Sequence, residues 1–143
     1  MQKERISDDI YVFTSELYAQ VTAGAVVGAD GTALIDTLPF PSESRQIKDF
    51  VEKRLGSRVR YVINTHYHSD HTNGNFLFPE AEVIGHWQTR EKLATIGTEA
   101  LAKAKPQMPE LAEVDVRLPT ILVDQGPLYL QLGRKTLQLF HTP

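Results

Sequence analysis

Cysteine is absent from this sequence of 143 residues, and its absence restricts the chemistry that the chain can carry. Without thiols, the protein forms no disulfide bonds and no thiolate metal site. Any metal site must therefore use imidazole nitrogens and carboxylate oxygens. The sequence also lacks an apolar run long enough to cross a bilayer, so we expect no membrane partner.

A concentrated excess of positive charge is missing as well. The 15 Lys and Arg residues are scattered, and the 18 Asp and Glu residues bring the formal net charge to −3. This balance repels phosphate at long range, so we expect no binding to nucleic acid. The charged residues 1–5 precede no apolar stretch, which predicts a cytoplasmic protein, or a periplasmic one if a leader has been removed.

The apolar pattern predicts a single domain over residues 1–143 that mixes strands and helices. A first helix is expected to be capped by Ser42 and to stop at Gly56. A second helix is expected over residues 91–105, with a weak point at Gly97. The predicted strands are residues 10–14, 21–27, 32–35, 59–63, 82–84, 121–123, 128–132 and 136–140. This order indicates an α/β fold, a mixed sheet with helices on one face.

Three histidines and an aspartate crowd into six positions directly after the strand predicted at residues 59–63. In an extended segment, side chains two positions apart point the same way, so His66 and His68 can face one divalent metal ion. A backbone turn next to Asp70 would direct Asp70 and His71 to a second ion nearby. The alternative is a set of surface histidines in a polar loop, which this crowding disfavours.

The stretch of residues 62–75 resembles the His-x-His-x-Asp-His hallmark of the metallo-β-lactamase superfamily. The resemblance continues upstream into residues 32–37 and downstream into residues 128–133 and 140–143, so it covers most of the chain. It implies the N-terminal half of an αββα sandwich. Asn73 departs from the glycine that many members have there, and we expect it to change only the turn.

The resemblance also implies the roles of the candidate site residues. His66 and His68 bind the first metal ion, and Asp70 and His71 contribute to the second. Asp70 is also the expected catalytic residue, since it orients the attacking water in members that use one metal ion. Asp36 holds the loop through its backbone amides, although an ordinary turn residue at a strand end is an equal alternative. Zinc is the expected metal, with iron or manganese as alternatives.

The implied activity is metal-dependent hydrolysis of a small-molecule substrate. In such a site, metal-bound hydroxide attacks an ester, thioester, lactam or similar bond, and the sequence leaves the choice open. The last motif of the family continues into Gly-His, whose histidine is the third ligand of the first metal, whereas this sequence stops at Pro143. We therefore expect at most two ligands per ion and little or no activity from residues 1–143 alone.

Two other classes of function remain open. One is a self-associating half-domain with structural or vestigial metal binding. Because half a sandwich exposes an apolar sheet face, we expect a homodimer or a strand-swapped oligomer. The other is an unrelated small metal-binding protein, which predicts no sandwich-like sheet.

Three residues near the motif carry weaker predictions. His86 is expected to be an ordinary satisfied or exposed histidine, with a substrate contact as the alternative. Tyr67 is expected to pack against the loop, with a role as an acid as the alternative. His141 belongs to the last motif but is expected to have a structural role and not to bind a metal.

Overall fold

The computed structural model describes all residues 1–143, which form nine strands and four α-helices. The strands are β1 Gln2–Ser7, β2 Ile10–Thr14, β3 Thr22–Gly28, β4 Gly31–Ile35, β5 Val59–Ile63, β6 Glu82–His86, β7 Ile121–Val123, β8 Leu128–Leu132 and β9 Lys135–Leu139. The helices are α1 Pro41–Asp49, α2 Ser69–Thr72, α3 Trp87–Lys92 and α4 Thr98–Ala104. The π-helical segments are Phe50–Arg54 and Leu93–Gly97, and the 3₁₀ turns are Asn75–Leu77 and Pro109–Leu111. None of the helices is long and apolar enough to span a membrane.

The first seven strands form one mixed sheet in the order in which they occur along the chain. Strands β1 to β4 pair antiparallel, whereas β4 to β7 pair parallel. Strands β8 and β9 form a separate antiparallel hairpin. The parallel part matters most for the site, because the carboxyl ends of β4 to β7 all lie at one edge, where open α/β sheets bind ligands.

Strand β4 shows how the sheet divides its side chains between two cores. Leu34 is fully buried in one core together with Ile47 of α1 and Val62 of β5. Its neighbour Ala33 is fully buried in the other core, which includes Leu130 of the β8–β9 hairpin. This follows from the period of two along a strand. The predicted mixed sheet with helices on one face is confirmed, and the hairpin covers the centre of the face that half a sandwich was expected to expose.

The start of α1 differs from the prediction. Ser42 is not the cap, because the helix begins at Pro41 and Phe40 occupies the cap position without a side-chain hydrogen bond. Proline suits this first position because its φ is fixed and its missing amide hydrogen would have no partner there. At the other end, Gly56 has a φ of +63°, which confirms it as the residue that stops the helical segment.

Two other stretches differ from the pattern-based prediction. The second helical region begins at Trp87 and not at residue 91, and its predicted weak point coincides with the π-helical segment that ends at Gly97. Strand β1 is not indicated by the pattern at all. Its six residues are exposed on both faces, so no alternation of apolar and polar residues marks it, and it is held by pairing with β2.

Candidate metal centre

The histidine loop begins where β5 ends, beside the end of β4. The two strands run parallel with Ile35 opposite Ile63. The amide of Asp36 then donates a hydrogen bond of 2.9 Å to the carbonyl of Ile63. The sheet therefore places a carboxylate from the end of β4 next to the first residues of the loop.

Asp36 is the buried anchor of this loop. It is only 3% exposed, and its carboxylate accepts hydrogen bonds from the Thr65 amide at 2.8 Å, the Thr65 hydroxyl at 2.7 Å and Nδ1 of His71 at 2.8 Å. Its φ of +59° lies in the left-handed region, which aspartate tolerates better than most residues. Asp36 thus fixes both the beginning of the loop and its last histidine.

The three imidazoles of the loop lie together. The ring centroids of His66 and His71 are 4.2 Å apart, and those of His66 and His68 are 4.7 Å apart. The turn expected next to Asp70 takes the form of the single-turn helix α2, which brings His71 back beside His66. Asp70 joins the group, since its Oδ2 lies 3.5 Å from Nε2 of His71.

Hydrogen bonds determine which ring nitrogen is left for another partner. Nδ1 of His66 lies 2.9 Å from the Thr65 hydroxyl, and Nδ1 of His71 bonds to Asp36. Nε2 is then the nitrogen without a hydrogen bond in both rings. Metal-binding histidines typically show this arrangement, in which the second ring nitrogen is held by a hydrogen bond that sets the orientation of the ring.

The types of donor atom fit a divalent metal ion, but few donor side chains converge on any one point. Imidazole nitrogen and carboxylate oxygen suit zinc, iron and manganese. No group of three or more His, Asp or Glu side chains in the structure is arranged to hold one metal ion. A full coordination shell therefore needs more than the side chains that this arrangement brings together.

The environments of two rings shift their pKa values in opposite directions. Burial lowers the pKa of His66, and the neighbouring His71 lowers it further. The hydrogen bond to Asp36 raises the pKa of His71, and the charges of Asp36 and Asp70 act in the same direction. His66 therefore offers a lone pair over a wide pH range, whereas a metal must compete with a proton on His71.

Comparison with known proteins places this fold and loop in a family. A family model of the metallo-beta-lactamase superfamily matches residues 18–143. The chain belongs to the metallo-β-lactamase superfamily. Membership suggests a metal-dependent hydrolase, and it shows that the alternative of an unrelated small metal-binding protein is wrong.

Solved metallo-β-lactamase structures have the same fold. A metallo-beta-lactamase from Pontibacter korlensis is similar with a TM-score of 0.74 and 16% identity, covering 97% of this chain and 59% of that one. A HARLDQ motif mutant from Cronobacter sakazakii has a TM-score of 0.67 and 24% identity, covering 95% and 52%. FIM-1 from Pseudomonas aeruginosa, solved in a mono-zinc form, has a TM-score of 0.57 and 17% identity, covering 67% and 46%. The chain thus spans about half the length of these metallo-β-lactamases.

A network of buried polar side chains supports the histidine loop of this metallo-β-lactamase-type domain. The Thr37 hydroxyl donates to the carbonyl of His71 at 3.1 Å and lies 3.2 Å from Oδ1 of Asn75. Asn64 and Asn75 exchange two hydrogen bonds of 3.1 and 2.8 Å. The sequence prediction missed these residues, and the available signal was the run of polar residues after a buried strand.

Asn73 and Gly74 close the underside of the loop. Asn73 is 8% exposed, and its Nδ2 donates to the carbonyl of Pro39 at 3.1 Å. Asn73 therefore makes a contact with a distant part of the chain, in addition to the expected change of the turn. The amide of Gly74 donates to the Thr37 hydroxyl at 3.1 Å, and a Cβ atom on this glycine would lie 2.6 Å from the Thr37 carbonyl oxygen.

Tyr67 links the loop to α3. Its ring meets that of His68 edge-on, with centroids 4.7 Å apart. Nζ of Lys92 in α3 lies over the same ring, 5.3 Å from its centroid. Tyr67 therefore packs between the histidine loop and a cation of the neighbouring helix.

Proposed function

We propose that this chain supplies the metal-binding loop of a hydrolase that cleaves an ester, thioester, lactam or similar bond in a small molecule. One observation carries the proposal. A cluster at the carboxyl edge of the parallel strands contains His66, His68, Asp70 and His71. Asp36 is hydrogen-bonded to this cluster through Nδ1 of His71.

The proposed division of the ligands between two ions comes from the resemblance to the family. The hydrogen bonds of His66 and His71 support it by leaving Nε2 of both rings without a hydrogen bond. His66 and His68 would bind one ion, and Asp70 and His71 would bind a second. Asp36 keeps the proton of His71 on Nδ1, so that Nε2 presents its lone pair. When bound, the metal supplies a Lewis acid that activates water and polarises the substrate carbonyl. Asp70 orients the attacking water and accepts its proton.

Zinc is the metal that we propose, with iron and manganese as weaker candidates. The donor set supports zinc, because it consists of imidazole nitrogens and a carboxylate. Further support comes from FIM-1, one of the similar structures, which was solved in a mono-zinc form. Residues 1–143 offer two donors to each ion. We therefore propose that this chain by itself binds zinc more weakly than a three-ligand site and turns over substrate poorly.

A zinc titration tests the proposed loop. Zinc is added to the metal-free chain while imidazole resonances are recorded by NMR and heat is recorded by calorimetry. We expect the resonances of His66, His68 and His71 to shift, and Asp70→Asn to weaken binding at least about tenfold. The matched control is Asp124→Asn, an exposed aspartate beyond β7, which should bind zinc like the unmodified chain.

A turnover assay then addresses the reaction. Thioester, lactone, β-lactam and phosphodiester substrates are offered with zinc in excess, and any activity should vanish in Asp70→Asn but persist in Asp124→Asn. Tight zinc binding with fast turnover by monomeric residues 1–143 would contradict the proposed weakness of this chain. Zinc that leaves all three loop imidazoles unchanged would contradict the metal site itself.

We also propose that the chain associates with a second copy, as a homodimer or a strand-swapped oligomer. The support is a set of exposed apolar side chains on β7, on the hairpin and directly after it, where Leu122 is 45%, Tyr129 61% and Phe140 58% exposed. Light scattering over a range of concentrations should give a mass above that of one chain. A monomer at every concentration would contradict association and leave the metal site unaffected.

A further inference from the structure

A second group of chemically active side chains lies beside the histidine loop. A pocket of about 270 Å³ opens at the carboxyl ends of β5, β6 and β7 and is closed by the segment that follows β9. Its apolar floor includes Ile63, Ile84 and Val123, and its polar wall includes Thr65 and two histidines, His86 and His141. None of its lining residues belongs to the four candidate metal ligands.

The lining of the pocket limits which ligand groups it can hold. No Lys, Arg, Asp or Glu side chain is among its 12 lining residues. A charge of either sign would find no oppositely charged side chain in this lining, so the pocket selects a ligand by its hydrogen-bonding atoms. An apolar body with a hydrogen-bonding oxygen matches both the floor and the wall.

The hydrogen bonds of His86 identify the kind of atom that it can recognise. Its Nδ1 accepts a hydrogen bond from the amide of Gln88 at 3.2 Å, which places the ring proton on Nε2. Nε2 donates to no protein acceptor. The ring stacks on that of His141, with centroids 4.3 Å apart and an angle of 25° between the planes. His86 therefore presents a fixed donor that lacks an acceptor.

We propose that this pocket binds the acyl part of a small carbonyl or carboxylate compound, whose oxygen accepts a hydrogen bond from Nε2 of His86. The pocket is smaller than the roughly 300–1,000 Å³ of sites for drug-sized ligands, which favours a short acyl chain. His141 braces the ring of His86 by stacking. This makes His86 a substrate contact, the alternative to an ordinary satisfied histidine.

Thr65 connects the pocket to the candidate metal centre. Its side chain lines the pocket, and its hydroxyl also contacts Nδ1 of His66 and the carboxylate of Asp36. An acyl group in the pocket would thus lie next to the residue that contacts both Asp36 and His66. This role in substrate choice rests on the proposed hydrolase function, whereas binding of the acyl compound itself does not need a metal.

The test uses isovalerate as the probe and isopentylamine as a cation of similar shape, with the metal-free chain in a chelator. NMR spectra of the imidazole groups report on each histidine separately. We expect isovalerate to shift the resonances of His86 and His141, to leave those of His68 unchanged, and to bind better than isopentylamine.

Two variants separate ligand binding from helix capping. His86→Asn keeps an acceptor at the start of α3, since asparagine is a favoured cap, but removes the Nε2 donor and the stack. We expect it to remain folded and to bind isovalerate about tenfold more weakly or worse. His141→Phe keeps a stacked ring and should bind nearly normally. The control is Trp87→Phe, which alters an exposed neighbour outside the pocket.

The outcomes distinguish the pocket from the metal site. Unchanged isovalerate affinity in folded His86→Asn, or equal binding of the amine, would overturn the pocket proposal. Zinc that shifts the loop imidazoles while isovalerate shifts nothing would also overturn it and leave the proposed hydrolase intact. Isovalerate binding at His86 in a chain whose loop ignores zinc would support the pocket and contradict the metal-dependent function.

Discussion

The carboxylate of Asp36 and Nδ1 of His71 lie 2.8 Å apart, although they are 35 positions apart in the chain. This contact joins the end of β4 to the last histidine of the loop. It raises the pKa of His71 and occupies Nδ1, which leaves Nε2 without a hydrogen bond.

Replacing Asp36 by asparagine should destabilise the fold. The amide keeps the shape of the side chain but has only one oxygen for the three donors that surround the carboxylate. Losing hydrogen bonds at a buried site costs about 1–3 kcal/mol, which urea unfolding of the metal-free protein can measure. The control is Asp30→Asn, which weakens a half-exposed pair with Arg60 and should change stability by less than about 1 kcal/mol. Equal effects of the two substitutions would contradict the anchoring role of Asp36.

Stability should also depend on pH through His71. Its pKa is raised in the folded state, so the folded protein holds this proton more tightly than the unfolded chain does. The stabilisation is complete below the unfolded value, about 6.5, and is lost as pH rises through the folded pKa. His66 acts in the opposite sense, because its lowered pKa makes the protein lose stability as pH falls from about 6.5 through the folded value.

Unfolding of the metal-free protein across pH 5 to 9, a range of roughly two units on either side of a histidine pKa, measures both effects. In His71→Gln the decline of stability above about pH 6.5 should become shallower. In His66→Gln the decline on the acidic side should become shallower instead. Profiles that match the unmodified protein in both variants would show that neither ring contributes as described.

Alanine at Gly74 should be poorly tolerated. The added Cβ would lie 2.6 Å from the carbonyl oxygen of Thr37 and closer still to the Ser44 hydroxyl, within a buried part of the network. Overpacking of this kind costs about 1–3 kcal/mol. Gly126→Ala is the matched control because nothing lies within 4 Å of the place that its added methyl group would take, and its effect should stay within about 0.5 kcal/mol. A neutral Gly74→Ala would mean that the loop and α1 can separate freely.

A double-mutant cycle can measure the contact between Tyr67 and Lys92. Tyr67→Leu removes the aromatic face, and Lys92→Met removes the charge while keeping an unbranched side chain. We expect a coupling free energy of about 0.5–1 kcal/mol, typical of an exposed cation–π pair. Repeating the cycle with Tyr67→Phe should give no coupling between the hydroxyl and Lys92, since phenylalanine retains the ring face. A zero coupling for Tyr67→Leu would show that α3 does not hold the loop.

Much of the fold is predictable because its strands have strong local patterns. Strands β7 and β8 have the predicted bounds, and Val59–Ile63 is an apolar run with a clear end. The edge strand β1 has no such pattern. It is held by pairing with β2, and neither of its faces is buried. The predicted cap of α1 is wrong for another reason. Both Ser42 and Pro41 are favourable at a helix start, and the local sequence does not choose between them.

By itself, the sequence determined the spacing of His66, His68, Asp70 and His71 and the strand that carries them, because both are local properties of the chain. Only the tertiary structure decided that Asp36 bonds to His71, that Asn64 pairs with Asn75 and that His86 stacks on His141. These contacts follow from the parallel alignment of β4, β5 and β6 and from the return of the chain after β9. Hydrogen bonds between distant residues depend on register and distance in space, which no local periodicity encodes.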